Sequence, residues 1–279
     1  MVEYPDVKQY IRQEYEGIFS EAMMERHYQY YVELELSQKQ LVNLQVLSGL
    51  KSRDRLLDLG CGFGSFVLVC RQAGIAADGL DIAPYQINFA RERLGTLVAN
   101  CEPNQVYHLG DAQATGLPDA SYDVITAWNL LEHVPNYRQV IAEAYRLLKP
   151  GGLFVGVAPN YLAFRREAHY QVPWLPLFPR PLARAYLRKL GRRTDFLDNS
   201  LYYLTNWGAL RALKRRGFQL LHPQLLKFEH PELIVSARIK NGVQTLERWH
   251  LLPLVKLAFR LHLWNPLRHG IYFAARKPL

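Results

Sequence analysis

The sequence predicts an α/β fold: a mostly parallel sheet of seven strands with helices on both faces, an N-terminal helical cap, and a helical lid inserted after the fifth strand. Three observations predict it. Short apolar runs alternate with segments of helical periodicity over residues 51–160, which is typical of a parallel sheet covered on both faces. The first apolar run ends in closely spaced glycines. A stretch rich in proline, aromatic residues and arginine then interrupts the alternation after residue 160.

The totals favour one buried domain with additions. The chain has 279 residues, of which 49% are hydrophobic and 21% charged, and this length suits one core better than two ordinary domains. The three cysteines have no spacing typical of a disulfide framework or a zinc cluster. The first ten residues lack the apolar run of a signal peptide, and no apolar stretch approaches the roughly 20 residues that cross a bilayer. We therefore expect a cytoplasmic protein that meets membranes at most at their surface.

Charge is distributed unevenly along the chain. Residues 1–160 contain 13 Lys and Arg against 19 Asp and Glu, whereas residues 161–279 contain 21 against 6. This asymmetry indicates that the C-terminal part meets something anionic, such as a phosphate-bearing substrate, a lipid surface or nucleic acid. A solvated basic face is the alternative interpretation.

The elements follow from the apolar pattern in chain order. Residues 1–50 repeat apolar side chains at helical spacing and predict the cap. Residues 51–160 predict a cofactor-binding core of five strands with alternating helices. The predicted core elements are strand Leu56–Leu59, helix Phe66–Gln72, strand Ala76–Ile82, helix Tyr85–Leu94, strand Val106–Leu109, strand Tyr122–Trp128, helix Tyr137–Leu148 and strand Leu153–Ala158.

The remaining residues are expected to form the lid and to complete the sheet. Residues 161–205 are assigned to the lid because their regular alternation is lost. Residues 206–279 are assigned to a helix, the last strands and a helical insertion at about 232–265. In order, the predicted elements here are helix Asn206–Arg216, strand Phe218–Leu226, a helix within Leu251–Trp264 and strand Ile271–Arg276.

The glycine loop follows the first predicted strand and reads Asp58-Leu59-Gly60-Cys61-Gly62-Phe63-Gly64. Open α/β sheets bind ligands at such loops, because backbone N–H groups and the positive end of the next helix converge there. Glycine also lets a ligand approach where a Cβ would collide. If Gly60 is the first glycine of a dinucleotide fingerprint, the third should lie at position 65, one residue beyond Gly64, where the sequence has Ser65. The spacing therefore disfavours a pyrophosphate-binding dehydrogenase.

The same loop closely resembles the first motif of the class I S-adenosylmethionine-dependent methyltransferases. Asp81 ends the second predicted strand, at the position expected for an acid that binds ribose. Gly110-Asp111-Ala112 matches after the third strand. Further likeness over residues 52–160 lies in Tyr122-Asp123-Val124-Ile125, in Asn129 to Val134, and in Leu147 to Gly152. The Leu-Glu-His-Val stretch at 131–134 makes the likeness strongest towards the small-molecule methyltransferases of quinone biosynthesis.

The resemblance implies a Rossmann-like core that binds S-adenosyl-L-methionine and releases S-adenosyl-L-homocysteine. It implies that Asp58 faces the methionine ammonium, that Asp81 accepts hydrogen bonds from both ribose hydroxyls, and that Asp111 accepts one from the adenine amino group. A helix cap or turn is the alternative role for Asp81 and Asp111. The expected cofactor-binding residues are Asp58, Gly60, Cys61, Gly62, Gly64, Asp81, Ile82, Asp111, Ala112 and Asn129.

Two histidines are candidate catalytic bases. His133 follows the fourth predicted strand, near the expected position of the methyl group, and His169 lies in the lid. The alternatives are a His133 that packs beneath the cofactor or caps a helix, and a His169 on a surface loop. Tyr170, Tyr202 and Tyr203 are candidate acceptor-binding residues, with core packing as their alternative. One carboxylate beside one imidazole makes a weak metal site, so we predict no required metal.

The expected reaction is methyl transfer to a small, lipophilic or anionic acceptor, with O-methylation favoured over N- or C-methylation. Arg180–Arg193 and, more weakly, Leu254–Trp264 are amphipathic and basic, which favours contact with a membrane surface or a lipid-linked acceptor. A lid helix that packs on its own protein is the alternative.

Two rival functions are an RNA methyltransferase that uses the basic C-terminal half and a non-catalytic protein that binds S-adenosylmethionine. Nucleic acid is disfavoured because Leu130 and Leu131 follow Asn129, where enzymes that methylate bases typically carry two prolines and an aromatic residue. The sequence does not indicate the oligomeric state.

Overall fold

The computed structural model describes residues 4–99, 101–163, 166–173, 175–226, 241–242, 245–246 and 248–279. The helices are α1 (Pro5–Tyr15), α2 (Glu21–Val32), α3 (Glu35–Ser48), α4 (Ser65–Gln72), α5 (Pro84–Leu97), α6 (Pro103–Val106), α7 (Tyr137–Leu147), α8 (Arg180–Lys189), α9 (Asp195–Asn199), α10 (Asn206–Arg216), α11 (Pro223–Leu226) and α12 (Leu252–Leu263), with a 3-10 turn at Leu175–Leu177. The strands are β1 (Arg55–Leu59), β2 (Ala76–Asp81), β3 (Tyr107–Leu109), β4 (Tyr122–Trp128), β5 (Leu148–Pro159), β6 (Gln219–Leu221) and β7 (Gly270–Arg276).

The seven strands form one sheet in the order β3-β2-β1-β4-β5-β7-β6. Strand β1 pairs in parallel with β2 and β4, and β4 pairs in parallel with β5. Strand β7 runs antiparallel to both β5 and β6. The strand order changes direction between β1 and β4: β2 and β3 follow β1 on one side, and β5 follows β4 on the other. Open α/β sheets bind ligands outside the carboxyl ends of the two strands at such a point. The predicted seven-stranded, mostly parallel sheet is confirmed.

Helices cover both faces of the sheet, as predicted. Leu57 and Leu59 of β1 lie in a buried cluster with side chains of α7 and α10. Leu56 lies in a second cluster with side chains of α3, α4 and α5. Successive side chains of a strand point to opposite faces, so the apolar run of β1 fills two cores at once.

The N-terminal helices and the lid share a third apolar cluster. Helices α1 and α2 contribute side chains such as Val7, Ile11 and Tyr28, and the lid contributes Leu187 and Leu197. Phe63 of the glycine loop belongs to the same cluster. The cap and the lid therefore pack against each other over the ligand-binding edge of the sheet.

Several predicted boundaries are wrong. Strand β5 begins at Leu148, five residues before the predicted start at Leu153, so Lys149 to Gly152 lie inside it. The predicted strand Phe218–Leu226 is β6 followed by α11. Pro223 has no N–H to donate to a ladder and suits the first turn of a helix instead. The part of the predicted insertion at 232–240 lies outside the described residues.

Among the helices whose structure is described, none has the length and apolarity needed to cross a bilayer.

Candidate active site

A cavity of about 800 Å³ lies at the carboxyl ends of β1, β2 and β4. Its lining comes from the glycine loop, from the residues after these strands, from α1 and α2, and from the lid. Nine of the ten residues predicted to bind the cofactor line it: Asp58, Gly60, Cys61, Gly62, Asp81, Ile82, Asp111, Ala112 and Asn129. Gly64, the tenth, is not part of the lining.

The glycine loop requires its glycines for two different reasons. Gly60, Gly62 and Gly64 have φ of +70°, +53° and +74°, a left-handed conformation that favours glycine. A Cβ on Gly64 would lie 2.6 Å from both Ala90 Cβ and Tyr107 Oη. A Cβ on Gly60 would lie 2.7 Å from Leu130 Cδ1. Gly60 thus allows Leu130 to pack against the loop, and Gly64 allows α5 and β3 to pack closely behind it.

Asp81 connects the glycine loop to the end of β2. Its Oδ2 accepts a hydrogen bond from the Gly62 N–H at 2.8 Å, and its Oδ1 accepts one from the Ala83 N–H at 2.9 Å. Burial raises the pKa of the Asp81 carboxyl. Each carboxylate oxygen has a further lone pair for a ligand, so Asp81 can shape the loop and also bind a ribose.

Asp58 is a buried acid in the cavity wall, with 2% of its surface exposed. Its Oδ1 accepts a hydrogen bond from Thr126 Oγ1 at 2.6 Å. Burial raises the pKa of Asp58 to about 7, although the Thr126 hydrogen bond acts in the opposite direction. Within the described part of the chain, Asp58 forms no ion pair. A ligand ammonium group would supply the missing positive charge.

Other lining atoms also fit a bound nucleoside and amino acid. Asp111 Oδ1 accepts a hydrogen bond from the Gln113 N–H at 2.8 Å. Trp128 Nε1 and Glu132 Oε2 are buried and have no hydrogen-bond partner among the described residues, yet both side chains line the cavity. Buried polar atoms without partners are costly unless a ligand or water binds them. The residues present therefore fit S-adenosylmethionine.

The part of the cavity lined by α2, the lid and the residues after β4 carries imidazole and aromatic rings. We call this group the imidazole cluster. Its ring centroids lie 5.0 Å apart for His133 and His169, 4.5 Å for Phe19 and His27, and 5.2 Å for His169 and Phe196. The structure thus brings the two histidines predicted to be catalytic into contact with each other in the cavity lining.

His169 is held by a fully buried carboxylate. Its Nδ1 lies 2.9 Å from Oε1 of Glu167, which is 0% exposed. Oε2 of Glu167 accepts hydrogen bonds from the backbone N–H groups of His169 and Tyr170. A carboxylate that already accepts from two N–H groups acts as the acceptor for Nδ1 as well. In the neutral ring, Nδ1 therefore carries the proton and Nε2 the lone pair.

The imidazole of His133 is neutral near pH 7. Its Nδ1–H donates to the carbonyl oxygen of Ser200 at 2.7 Å. Burial, followed by the neighbouring His169, lowers the pKa of His133 to about 3. Burial also lowers the pKa of His27 to about 4. The imidazole cluster therefore offers polar but mostly uncharged groups.

The three tyrosines predicted to bind the acceptor do not line the cavity. Tyr170 is fully buried and its hydroxyl accepts from the Leu197 N–H at 3.0 Å. The Tyr202 hydroxyl donates to the Asn199 carbonyl at 3.2 Å, and the Tyr203 ring packs on Tyr161. These placements favour packing roles for Tyr170 and Tyr203, and acceptor binding by the three tyrosines stays a prediction.

Sequence reasoning missed several lining or supporting residues. Phe19 and His27 lie in the cap and Phe196 in α9, far from any motif. Thr126 lies in the middle of an apolar strand, where nothing in the sequence distinguishes it. Glu167 did carry a signal, because a carboxylate two residues before a candidate base can orient it.

The charged residues of the lining are all acidic. Of the described residues around the cavity, none is Lys or Arg. The acids are Glu14, Asp58, Asp81, Asp111, Glu132 and Asp195. Several lid arginines bind the protein itself: Arg180 donates to the carbonyls of Leu197 and Leu201, and Arg184 pairs with Asp198 at 2.9 Å.

Comparison with curated proteins gives partial but consistent matches. The chain is 31% identical over 179 residues to malonyl-[acyl-carrier protein] O-methyltransferase of Serratia marcescens, covering 61% of this chain and 66% of that protein. It is 36% identical over 104 residues to 27-O-demethylrifamycin SV methyltransferase of Amycolatopsis mediterranei, covering 37% and 38%. The matches thus span less than two thirds of these relatives.

Solved structures share the fold at low sequence identity. Phosphoethanolamine N-methyltransferase 2 of Haemonchus contortus, solved with S-adenosyl-L-methionine, has a TM-score of 0.58 at 16% identity, covering 100% of this chain and 61% of that one. An S-adenosylmethionine-dependent methyltransferase of Mesorhizobium loti has a TM-score of 0.51 at 19% identity, covering 87% and 99%. A family model described as a methyltransferase domain matches residues 24–222. The chain therefore belongs to this family, the class I S-adenosylmethionine-dependent methyltransferases.

Proposed function

We propose that the chain transfers the methyl group of S-adenosylmethionine to a hydroxyl oxygen of a small, uncharged and lipophilic acceptor. The observation that carries this proposal is the imidazole cluster, in which His169 is oriented by the buried Glu167. A proton acceptor is useful chiefly when the acceptor atom is a hydroxyl oxygen, because a hydroxyl is a weak nucleophile that must lose its proton during methylation, whereas a neutral amine is nucleophilic without losing one.

The chain's own residues would supply alignment and proton transfer. Bound S-adenosylmethionine provides a methyl group already activated on a sulfonium, so positioning of the acceptor accounts for much of the acceleration. The lone pair on His169 Nε2 takes the hydroxyl proton. Glu167 keeps the proton of the neutral ring on Nδ1 and stabilises the imidazolium that forms, as an acid does in a catalytic triad.

Of the two candidate bases, His169 suits this role better than His133. A general base works best when its pKa lies near the working pH, and the pKa of His133 is lowered to about 3. His133 is then a neutral group that positions the acceptor or its partner ring. Its Nδ1–H is already committed to Ser200.

The lining supports an uncharged acceptor over an anionic one. Among the described lining residues no Lys or Arg is present to bind an anionic group, and carboxylates such as Glu14 would lie in the same cavity, where like charges are unfavourable. The same argument counts against RNA, whose phosphates are normally bound by Lys and Arg. Aromatic and aliphatic lining residues such as Phe19, Met23 and Phe196 suit a lipophilic acceptor.

Several curated relatives act on oxygen, whereas others, such as sterol 24-C-methyltransferase of Eremothecium gossypii, act on carbon. The protein of Serratia marcescens is an O-methyltransferase, and so is the ubiquinone biosynthesis O-methyltransferase of Saccharophagus degradans, which is 35% identical over 98 residues. We take this as support for the reaction type and not for either substrate.

The test is transfer of labelled methyl from S-adenosylmethionine to lipophilic phenols and alcohols, each paired with a carboxylated analogue. We expect O-methyl products from the neutral members only. His169→Asn should lower kcat by about 10²–10⁴-fold with little change in KM, because cofactor and acceptor still bind. The exposed His250 provides the matched control, and His250→Asn should leave kcat unchanged.

Three results would contradict the proposal. Equal kcat for His169→Asn and the wild type would show that His169 is not the general base. Cofactor binding without transfer to any hydroxyl would favour the non-catalytic alternative. Tight RNA binding that weakens steeply with salt in a filter assay would favour the RNA methyltransferase.

A further inference from the structure

Helix α12 is apolar on two opposite faces. On the inner face, Leu263 is 4% exposed and the Phe259 ring lies 4.8 Å from the His222 ring. On the outer face, Leu254, Leu257 and Leu261 are 63%, 52% and 68% exposed. Positions i, i+3 and i+7 share one side of a helix, so these three leucines form one exposed stripe.

The residues next to the helix extend this exposed surface. Trp249, Leu251 and Leu267 are 69%, 43% and 67% exposed. We call these three and the leucine stripe the α12 apolar surface. Monomeric soluble proteins rarely expose large apolar groups together, and where they do so the surface usually meets a partner or a membrane.

The sequence that forms the α12 apolar surface is basic. Residues 248–268 contain four Lys and Arg and no Asp or Glu. Two of these cations, Lys256 and Arg260, belong to α12 itself. A helix with an apolar stripe, basic residues and a neighbouring tryptophan is typical of a segment that lies in the interface of an anionic bilayer.

We propose that the α12 apolar surface docks on the surface of a bilayer that contains anionic lipids. The helix would lie in the plane of the interface, with its exposed leucines among the acyl chains. A second copy of the chain fits less well, because a symmetric contact places each surface against its own duplicate and would bring like positive charges together.

The end of α12 is fixed to the core beside the cavity. Asn206 Nδ2 donates to the carbonyls of Leu263 and Asn265 at 2.9 and 3.1 Å. Asn160 Nδ2 donates to the carbonyls of Pro266 and Arg268, both at 2.7 Å. The next two residues, at 269 and 270, line the cavity. Docking would therefore bring the cavity wall close to the bilayer, where a lipophilic acceptor concentrates; the docking itself does not depend on the proposed reaction.

The test is flotation of the full chain with vesicles of phosphatidylcholine alone or mixed with phosphatidylglycerol. We expect binding to the mixed vesicles that weakens with salt. Replacing the stripe by serine (L254S, L257S and L261S together) should lower the bound fraction at least about tenfold. The double variant L36S and V42S removes apolar side chains that are 44% and 53% exposed on α3, and it should bind like the wild type.

Two further measurements keep the result interpretable. Stabilisation by S-adenosylmethionine reports that each variant is folded, and His169→Asn should still float, which separates docking from the proposed reaction. Absence of binding to the mixed vesicles, or equal binding by the serine variant, would overturn the proposal. So would a wild type that is dimeric, does not float and becomes monomeric on serine substitution, because the surface would then be a subunit interface.

Discussion

At the scale of single residues, Asp58 and Thr126 show what a motif does and does not reveal. The family resemblance marks Asp58, and the structure puts it in the cavity wall. Its hydrogen-bond partner Thr126 lies directly opposite on β4, in register with Asp58. Strand register depends on pairing across the sheet. The sequence alone therefore identifies Asp58 but not Thr126, whose hydroxyl lowers the pKa of Asp58.

The raised pKa of Asp58 predicts that cofactor affinity depends on pH. The pKa is about 7, so the acid is largely neutral at pH 6 and gains its charge as pH rises. The charged form attracts the ammonium group of the ligand. We expect the Kd for S-adenosylmethionine, measured by calorimetry, to fall between about pH 6 and pH 7.5.

A variant of Thr126 tests the cause of this pH dependence. Its hydrogen bond lowers the pKa of Asp58, so Thr126→Val should move the pH midpoint of binding to a higher value. Asp58→Asn should bind weakly and lose the pH dependence. A wild-type affinity that stays flat over this range, or a midpoint that moves to lower pH in Thr126→Val, would contradict the assigned role.

At the scale of elements, the glycine loop and α10 were predictable because local chemistry determines them. Helix α10 has the predicted bounds. Thr205 accepts from the Gly208 N–H at its start, and Gly217 ends it with φ of +108°, both common capping devices. The β6 region was predicted wrongly because its apolar residues suit either a strand or a helix, and Pro223 selects the helix.

Gly64 allows packing and conformation to be separated experimentally. Gly64 and Gly116 have nearly equal φ, +74° and +69°. A Cβ on Gly64 would clash with Ala90 and Tyr107 at 2.6 Å, whereas one on Gly116 would meet nothing within 4 Å. In urea denaturation, Gly116→Ala should cost about 1–2 kcal/mol from backbone strain alone. Gly64→Ala should cost at least about 3 kcal/mol because overpacking is added. Equal losses would mean that the loop moves aside freely.

At the scale of the whole molecule, the closure of the site was the least predictable feature. The cap and the lid each show helical patterning, but the cluster they share joins residues 7–32 with residues 161–201. An apolar side chain in the sequence indicates that it is buried but not which other side chains it packs against. His27 and His169 therefore reach one cavity through a long-range contact that local patterns do not encode.

Cofactor binding should stabilise the whole chain. A ligand bound only by the native state, at 100 times its Kd, adds about 2.7 kcal/mol. For a chain of this size that corresponds to a rise in Tm of roughly 5–10 °C. Asp81→Ala should abolish the shift, since Asp81 also holds the loop through Gly62 and Ala83. The surface variant Asn104→Ala should respond like the wild type, and no wild-type shift at millimolar ligand would refute cofactor binding.

The position of β7 between β5 and β6 sets an order of events at the ribosome. All described strand pairing of β6 is with β7, although β6 is synthesised about 50 residues earlier. The glycine loop, β1, β2 and β4 are complete long before then. A nascent chain can therefore assemble much of its cofactor pocket while β6 is still unpaired, because β7 has not yet been synthesised. Translational pausing shortly before residue 270 would prolong exposure of that sheet edge to other chains.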